Sequence, residues 1–210
     1  MAAKTSTLAS LVERAVEAAV AAPAPTFAAA AVAWLERLEE WNARVDLTAA
    51  RSREELVDLM LGDALVLASH APEGARVVDV GAGAGAPGLA LALARPDLAV
   101  TLVEPLGKRA AFLRTALGLA GRPDVGVERV RGEALAGRRA WDVAISRATL
   151  PPQAWLDLAV TLAAPGGAAW VLLAREKPPR HARARVDADV SYTWPLTGAA
   201  RRAVRYAVSS

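Results

Sequence analysis

The run RVVDVGAGAGAPG, Arg76 to Gly88, constrains the fold more than any other stretch of this chain. β-Branched residues at Val77, Val78 and Val80 favour an extended strand, and the glycines that follow read as a turn whose backbone takes conformations other residues avoid. The alanine- and leucine-rich segment beyond reads as a helix, with Pro87 just inside its start, where a missing N–H costs no helical bond. Strand, glycine turn and helix in that order begin a βαβ unit, so a parallel sheet is expected around them.

The rest of the chain repeats the pattern. Strands are expected at Val77 to Val80, Ala99 to Glu104, Val125 to Arg131, Asp142 to Ser146 and Ala168 to Ala174, with helices between them. Two extended runs around Pro195 to Gly198 predict an antiparallel hairpin at the sheet edge, since too little chain remains for another crossover helix. Up to about Pro72 the period is helical instead. The segment TFAAAAVAWLERLEEWNARV places Trp34, Leu35, Leu38 and Trp41 at three- and four-residue intervals, and Ser52 with Glu55 has the spacing of a capping box. The expected architecture is α/β: a Rossmann-like, mostly parallel seven-stranded sheet (73–210) with an antiparallel carboxyl-terminal hairpin, preceded by a helical extension (1–72).

The phase of the glycines decides which ligand the turn suits. Gly83, Gly85 and Gly88 have the literal G-x-G-x-x-G spacing of a dinucleotide site, but such a fingerprint begins at the glycine that ends the strand. The strand here ends at Gly81, giving Asp79-x-Gly81-x-Gly83-x-Gly85, the D-x-G-x-G-x-G pattern of S-adenosylmethionine-dependent methyltransferases. A strand-end acid suits the ammonium of that cofactor's methionine part, and glycines let the backbone approach closely. A pyrophosphate offers Asp79 no cation. Glu104 then stands at the end of the second strand, about 20 residues on, where a ribose diol would lie at the strand-order switch point; both cofactor types use an acid there, and an ordinary exposed glutamate is the alternative.

Composition removes other chemistries. The 210 residues include no cysteine and only two histidines, His70 and His181, which excludes a disulfide framework, a thiolate metal site and a cysteine nucleophile and argues against any metal cluster. Hydrophobic residues make up 54% of the chain, enough for one well-buried domain with a small appendage. No apolar run reaches the roughly 18 residues of a membrane span. Glu13, Arg14 and Glu17 interrupt any signal-peptide core, so a cytoplasmic protein is expected. The net charge of +3 is unevenly spread: Arg175 to Arg205 holds eight basic residues against three acidic ones. Such a strip suits a phosphate backbone, or is a solvated arginine-rich surface.

These residues resemble the RsmG (GidB) family of small-subunit ribosomal RNA guanine-N7 methyltransferases. WNARVDLTA resembles the family's W-N-x-x-x-N-L-T-A through Trp41, Asn42, Leu47, Thr48 and Ala49, with Asp46 in place of the second asparagine. The glycine loop matches D-V-G-x-G-x-G-x-P-G in full, including Pro87 and Gly88. LGKRAAFL matches L-G-K-R-x-x-F-L at Leu106, Gly107, Lys108, Arg109, Phe112 and Leu113. RGE (Arg131 to Glu133) is similar to R-A-E, and Ser146, Arg147 and Ala148 supply S-R-A. Two positions depart. Asp63 is present but the histidine three residues before it is Met60, and the A-x-K-G of the fifth strand is lost, with Leu173 near the lysine position and Arg175 and Lys177 beyond it.

The resemblance implies S-adenosylmethionine as cofactor, S-adenosylhomocysteine as product and 16S ribosomal RNA or the small ribosomal subunit as partner. It implies Asp79, Gly81, Gly83, Gly85 and Ala86 at the methionine end, Glu104 at the ribose, Gly132 and Glu133 beside the adenine, and Arg147 at the reacting end, with Lys108 and Arg109 toward RNA. Guanine N7 carries an in-plane lone pair, so alkylating it needs no general base, only alignment and a suitable field. That agrees with the absence of cysteine and with Ser146-Arg147-Ala148 standing where amine methyltransferases carry [DN]-P-P-[YF]. Other readings of single residues stay open: a structural ion pair for Arg147, a solvated pair for Lys108 and Arg109, packing for Trp41 and a helix-end role for Asn42. Three other functions compete: methylation of a small molecule or protein, RNA binding without turnover and, least favoured, a nicotinamide oxidoreductase. A monomer is expected.

Overall fold

The computed structural model describes residues 6–209. Four short helical segments come first: α1 (Leu8–Glu17), α2 (Phe27–Asn42), α3 (Arg53–Val57) and, after a π-helical turn at Asp58–Gly62, α4 (Asp63–Ala68). Then follow β1 (Arg76–Val80), α5 (Gly88–Ala94), β2 (Ala99–Val103), α6 (Gly107–Leu119), β3 (Gly126–Glu128), a 3-10 turn (Gly132–Leu135), β4 (Trp141–Ile145), α7 (Pro152–Leu162), β5 (Ala163–Leu173), β6 (Ala184–Thr193) and β7 (Ala200–Val208).

The seven strands lie in the order β3-β2-β1-β4-β5-β7-β6. β1 to β5 are parallel, and β7 runs antiparallel to both β5 and β6. Strand order therefore reverses at β1, between β2 and β4, and a crevice opens at the carboxyl ends of those strands. The expected α/β architecture and its carboxyl-terminal hairpin are both present.

Alternation along β1 shows how the layers form. Val78 and Val80 face an apolar cluster closed by α7 and the 3-10 turn, while Val77 faces the larger cluster made by α1 to α6. Asp79 shares the face of Val77 and is fully buried. The amino-terminal helices thus belong to the same continuous core as α5 and α6. Trp41 packs edge-on to Phe112 at 5.5 Å, joining α2 to α6, as the packing reading of Trp41 expected.

Three details differ from the sequence expectation. β3 is three residues long, not seven, because the chain leaves the sheet at Arg129 to set Gly132 against Val80, where a Cβ would come within 2.4 Å of Val80 Cγ1. No α-helix links β3 to β4; the 3-10 turn does so alone. β5 starts five residues early, pairing Ala163 with Trp141 before an irregularity and resuming at Ala168. At α3 only half of the capping box forms: Ser52 Oγ accepts from Glu55 N at 3.1 Å, while the Glu55 carboxylate accepts from Arg51 N at 2.8 Å.

Among the described residues no helix is long and apolar enough to cross a membrane, and no group of His, Asp or Glu could hold a metal ion.

The β6–β7 turn is fixed from the opposite end of the sequence. Asp58, 1% exposed, accepts from the backbone N–H of Leu196 and of Thr197 and from the Thr197 hydroxyl. Asp58→Ala leaves those donors without their charged acceptor and is expected to cost about 2 kcal/mol in urea unfolding. Amide exchange should quicken first at Leu196 and Thr197; unchanged exchange there would disprove the clamp.

Candidate active site

A cavity of about 600 Å³ occupies the crevice above β1, β2 and β4, within the range of small-molecule sites. Its walls come from the glycine loop (Gly81, Ala82, Gly83, Ala84 and Ala86), Glu104 after β2, Arg109 on α6, Arg131 and Arg147, with Leu47, Thr48, Leu59 and Met60 from the helical region.

The glycine loop is held from below. Gly88 N–H donates to Asp79 Oδ2 at 2.8 Å, and a Cβ on Gly88 would sit 2.5 Å from Asp79 Cβ, which explains a glycine at that position of the motif. Pro87 precedes the first residue of α5 rather than lying inside it. Gly81 has φ +75°, and a side chain there would strike Thr149 at 2.0 Å. Trp34, fully buried, donates from Nε1 to the Ala84 carbonyl at 3.1 Å. Sequence periodicity marks Trp34 only as a core residue; its contact with the loop is a tertiary fact.

Glu104 is 3% exposed, so the reading as an ordinary exposed glutamate does not hold. Its Oε2 accepts from Gly83 N at 3.0 Å and its Oε1 from Leu106 N at 2.8 Å. One carboxylate therefore fixes the loop and the start of α6 together, and still presents lone pairs to the cavity.

Asp79 does not line the cavity. It lies beneath the loop with Oδ1 buried and without a partner. Burial pushes its acid up to about 7; the Gly88 N–H and then Arg147 pull the other way, and Glu104 adds to the push.

The end of β4 bends sharply over this loop. Ser146 Oγ and Thr149 Oγ1 both donate to the Val80 carbonyl, at 2.7 and 3.1 Å. Ala148 between them has φ +53°, a left-handed conformation costing a non-glycine residue roughly 1–2 kcal/mol. The bend turns Arg147 toward the helical region, where it donates to the Leu59 carbonyl and lies 3.5 Å from Asp63 Oδ2. Asp63 Oδ1 accepts from Tyr192 Oη at 2.7 Å and from Trp194 Nε1 at 2.9 Å. Burial, and then the Asp63 charge, hold the Tyr192 hydroxyl well above its ordinary value.

Arg147 also walls a second cavity, of about 250 Å³, at the ends of β4, β5 and β6. The two cavities share Leu59, Arg147 and Ala148. Glu176, Tyr192, Trp194 and Arg201 belong to the second, and nothing in the sequence motifs singled them out.

Other expected site residues fall differently. Gly132 is buried against Val80 and Glu133 is exposed; Arg131, just before them, is the member of RGE that reaches the larger cavity. Lys108 is exposed, whereas Arg109 donates to the Asp46 carbonyl at 3.0 Å and ties α6 to the loop after α2. That loop is shaped by Asn42, whose Oδ1 accepts from Leu47 N and Thr48 N and whose Nδ2 donates to the Thr48 carbonyl, so the side chain at the end of α2 organises the following loop and not the helix end itself. The basic strip is partly compensated: Arg202 pairs with Asp189, Arg205 with Asp187, and Arg201 lies over Trp194, 3.6 Å from the ring centroid.

A family model described as rRNA small subunit methyltransferase G (GidB) matches residues 28–190. The chain belongs to the GidB family. The Ribosomal RNA small subunit methyltransferase G of Myxococcus xanthus is 34% identical over 183 residues, covering 82% of this chain and 84% of that protein. Its namesake in Anaeromyxobacter dehalogenans is 34% identical over 184 residues, covering 82% and 85%. Among solved structures, a Bacillus cereus O-methyltransferase in complex with SAH superposes with a TM-score of 0.57 at 17% identity, covering 83% of this chain and 90% of that one. The Burkholderia thailandensis 1,6-didemethyltoxoflavin-N1-methyltransferase gives 0.58 at 17% identity, covering 91% and 94%. At such identities the likeness is one of fold: the Rossmann-like methyltransferase sheet.

Because Asp79 is favoured neutral when folded, its contribution to stability is present below its unfolded value of 3.8 and is lost as pH rises toward about 7. Urea unfolding of the ligand-free protein at pH 5 and pH 8 should show that loss, and Asp79→Asn should remove it, leaving the variant the more stable of the two at pH 8. Parallel pH dependence in both proteins would contradict a proton held at Asp79.

Proposed function

We propose that this chain transfers the methyl group of S-adenosylmethionine to N7 of a guanine in 16S ribosomal RNA. The observation that carries the reading is the larger cavity. A D-x-G-x-G-x-G loop and a buried carboxylate meet there at the strand-order switch point, in a chain whose family is described as rRNA small subunit methyltransferases.

The residues fit that cofactor. Glu104 presents a carboxylate for the two ribose hydroxyls. Gly81, Gly83 and Ala86 offer a backbone surface with little side-chain bulk for the methionine part, while Gly85 packs behind them toward Trp34 and Leu89 and does not line the cavity. Asp79 acts on the ammonium at one remove, as a negative charge beneath the loop that becomes fully ionised when a cation approaches. Arg131, with Gly132 and Glu133 behind it, borders the adenine side. S-adenosylmethionine supplies an electrophilic methyl group on a sulfonium. Arg147, held by Asp63 and the Leu59 carbonyl, orients the base with its planar fork of donors, and its charge disfavours a second cation in the wrong place. Guanine N7 needs no base, because its in-plane lone pair is already the nucleophile.

Arg131 in the cavity wall and the exposed Lys108 near the start of α6 suit RNA phosphate. Residues 1–72 serve as a helical extension carrying Asp63 and the Trp41 loop, and residues 73–210 as the methyltransferase core. The protein acts as a monomer in the cytoplasm, on RNA or on the assembled small subunit.

Labelled methyl transfer to small subunits lacking N7-guanine methylation tests the function, and the label is expected in N7-methylguanosine. Cofactor binding by calorimetry without any transfer would mean that the substrate is another molecule. Glu104→Gln should weaken S-adenosylmethionine binding about 10- to 100-fold, the loss of hydrogen bonds to a charged acceptor; unchanged affinity would remove Glu104 from the site. Lys108→Ala should lower the slope of log affinity for RNA against log salt by about 1, equally for all sequences.

A further inference from the structure

The smaller cavity is lined by neither the glycine loop nor Glu104, yet it shares three residues with the larger one: Leu59, Arg147 and Ala148. N7 of a guanine in an A-form helix lies in a groove too deep and narrow for side chains, so an enzyme acting there needs the base unstacked and held in a pocket of its own. We infer that the cavity of about 250 Å³ at the ends of β4, β5 and β6 receives the unstacked base, and that Glu176 selects guanine there by accepting from N1–H and the N2 amine.

This assignment rests on the proposed guanine-N7 activity and adds the residues that choose the base. The chemistry of the walls supports it. Apolar side chains, among them Leu150, Trp155 and Leu173, line a cavity whose volume can hold a single base. Trp194 carries the Arg201 guanidinium on one face at 3.6 Å, and a guanidinium plane is itself a stacking surface for a base.

The polar groups differ in what they have left to give. Two carboxylates line the cavity, Asp63 and Glu176. Asp63 already serves Tyr192, Trp194 and Arg147. Glu176 uses only Oε2, which accepts from Ala174 N at 2.9 Å and Arg175 N at 3.0 Å, while Oε1 accepts no hydrogen bond among the described residues. Those backbone donors, its own N–H first, hold its carboxyl below the ordinary value, so it is an acceptor at neutral pH. Guanine turned with N7 toward the shared wall brings O6, an acceptor, to the Arg147 donors and leaves its donor edge for a carboxylate. Adenine in that pose would set an amine against Arg147 and a bare ring nitrogen against Glu176.

Leu173, near the position of the family lysine, lies in this wall as an apolar residue, and Glu176 beyond β5 and Arg201 on β7 add their charges to those of Asp63 and Arg147.

The test compares wild type with Glu176→Ala on small subunits reconstituted with RNA carrying guanosine or inosine at the methylated position, once nucleoside mapping has located it. Inosine lacks only the N2 amine. Wild type should lose about tenfold or more in kcat/KM on inosine, and Glu176→Ala should fall about 10- to 100-fold on guanosine while treating the two bases alike, with S-adenosylmethionine affinity unchanged. Since Glu176 is exposed, its truncation leaves the core intact. A variant within twofold of wild type, or one that keeps the preference for guanosine, overturns the pocket assignment while leaving the function standing. Absence of N7-methylguanosine from the wild-type reaction overturns the function and this pocket with it.

Discussion

The buried carboxylate of Asp63 is the point on which three separate parts of the chain converge. It lies 3.5 Å from Arg147, which follows β4, and it accepts from Tyr192, near the end of β6, and from Trp194, just beyond it. Asp63 itself belongs to the helical region, just after a π-helical turn, a distortion found disproportionately at functional sites. Taking a charge out of water is costly unless its partners are fixed, so these three elements hold one relative placement or lose the pairing. Arg147 is thereby set at the wall between two cavities, and the strained bend at Ala148 is kept in place.

A second constraint is steric. The glycine loop lies so close to its neighbours that Gly81 and Gly88 leave no room for a side chain, against Thr149 and Asp79 respectively. Thr149 comes from the β4 bend and Asp79 from β1, so the loop is clasped between the two strands where strand order reverses. Trp34 closes it from beneath and Glu104 from the side. The cavity floor is therefore rigid, which suits a reaction in which the protein contributes alignment more than proton transfer.

Much of this was legible in the chain. Hydrophobic period and glycine phase indicated the parallel sheet, the hairpin and the loop, because a strand turning into a helix through glycines has few alternatives. The end of β3 was misjudged because Arg129 to Arg131 has strand-like composition, and only the close packing of Gly132 on Val80 draws it out of the sheet. The resemblance implied an RNA contact for Arg109 and its place at a helix start a solvated pair; its donation to the Asp46 carbonyl depends on a loop 63 residues away in sequence. The arginines near the carboxyl terminus read as a strip, but β6–β7 pairing sets Asp189 and Asp187 beside two of them.

The sequence by itself determined the order of elements, the ligand-loop phase and the identity of Asp79, Glu104 and Arg147, since these depend on local spacing and on residue chemistry. Tertiary structure alone decided that Asp79 sits beneath the loop rather than in the cavity, that Arg147 and Asp63 are partners, and that Glu176 and Arg201 share a pocket with them. Each of those facts joins residues from distant strands, and cross-strand neighbours are set by sheet order and register, which no local pattern encodes.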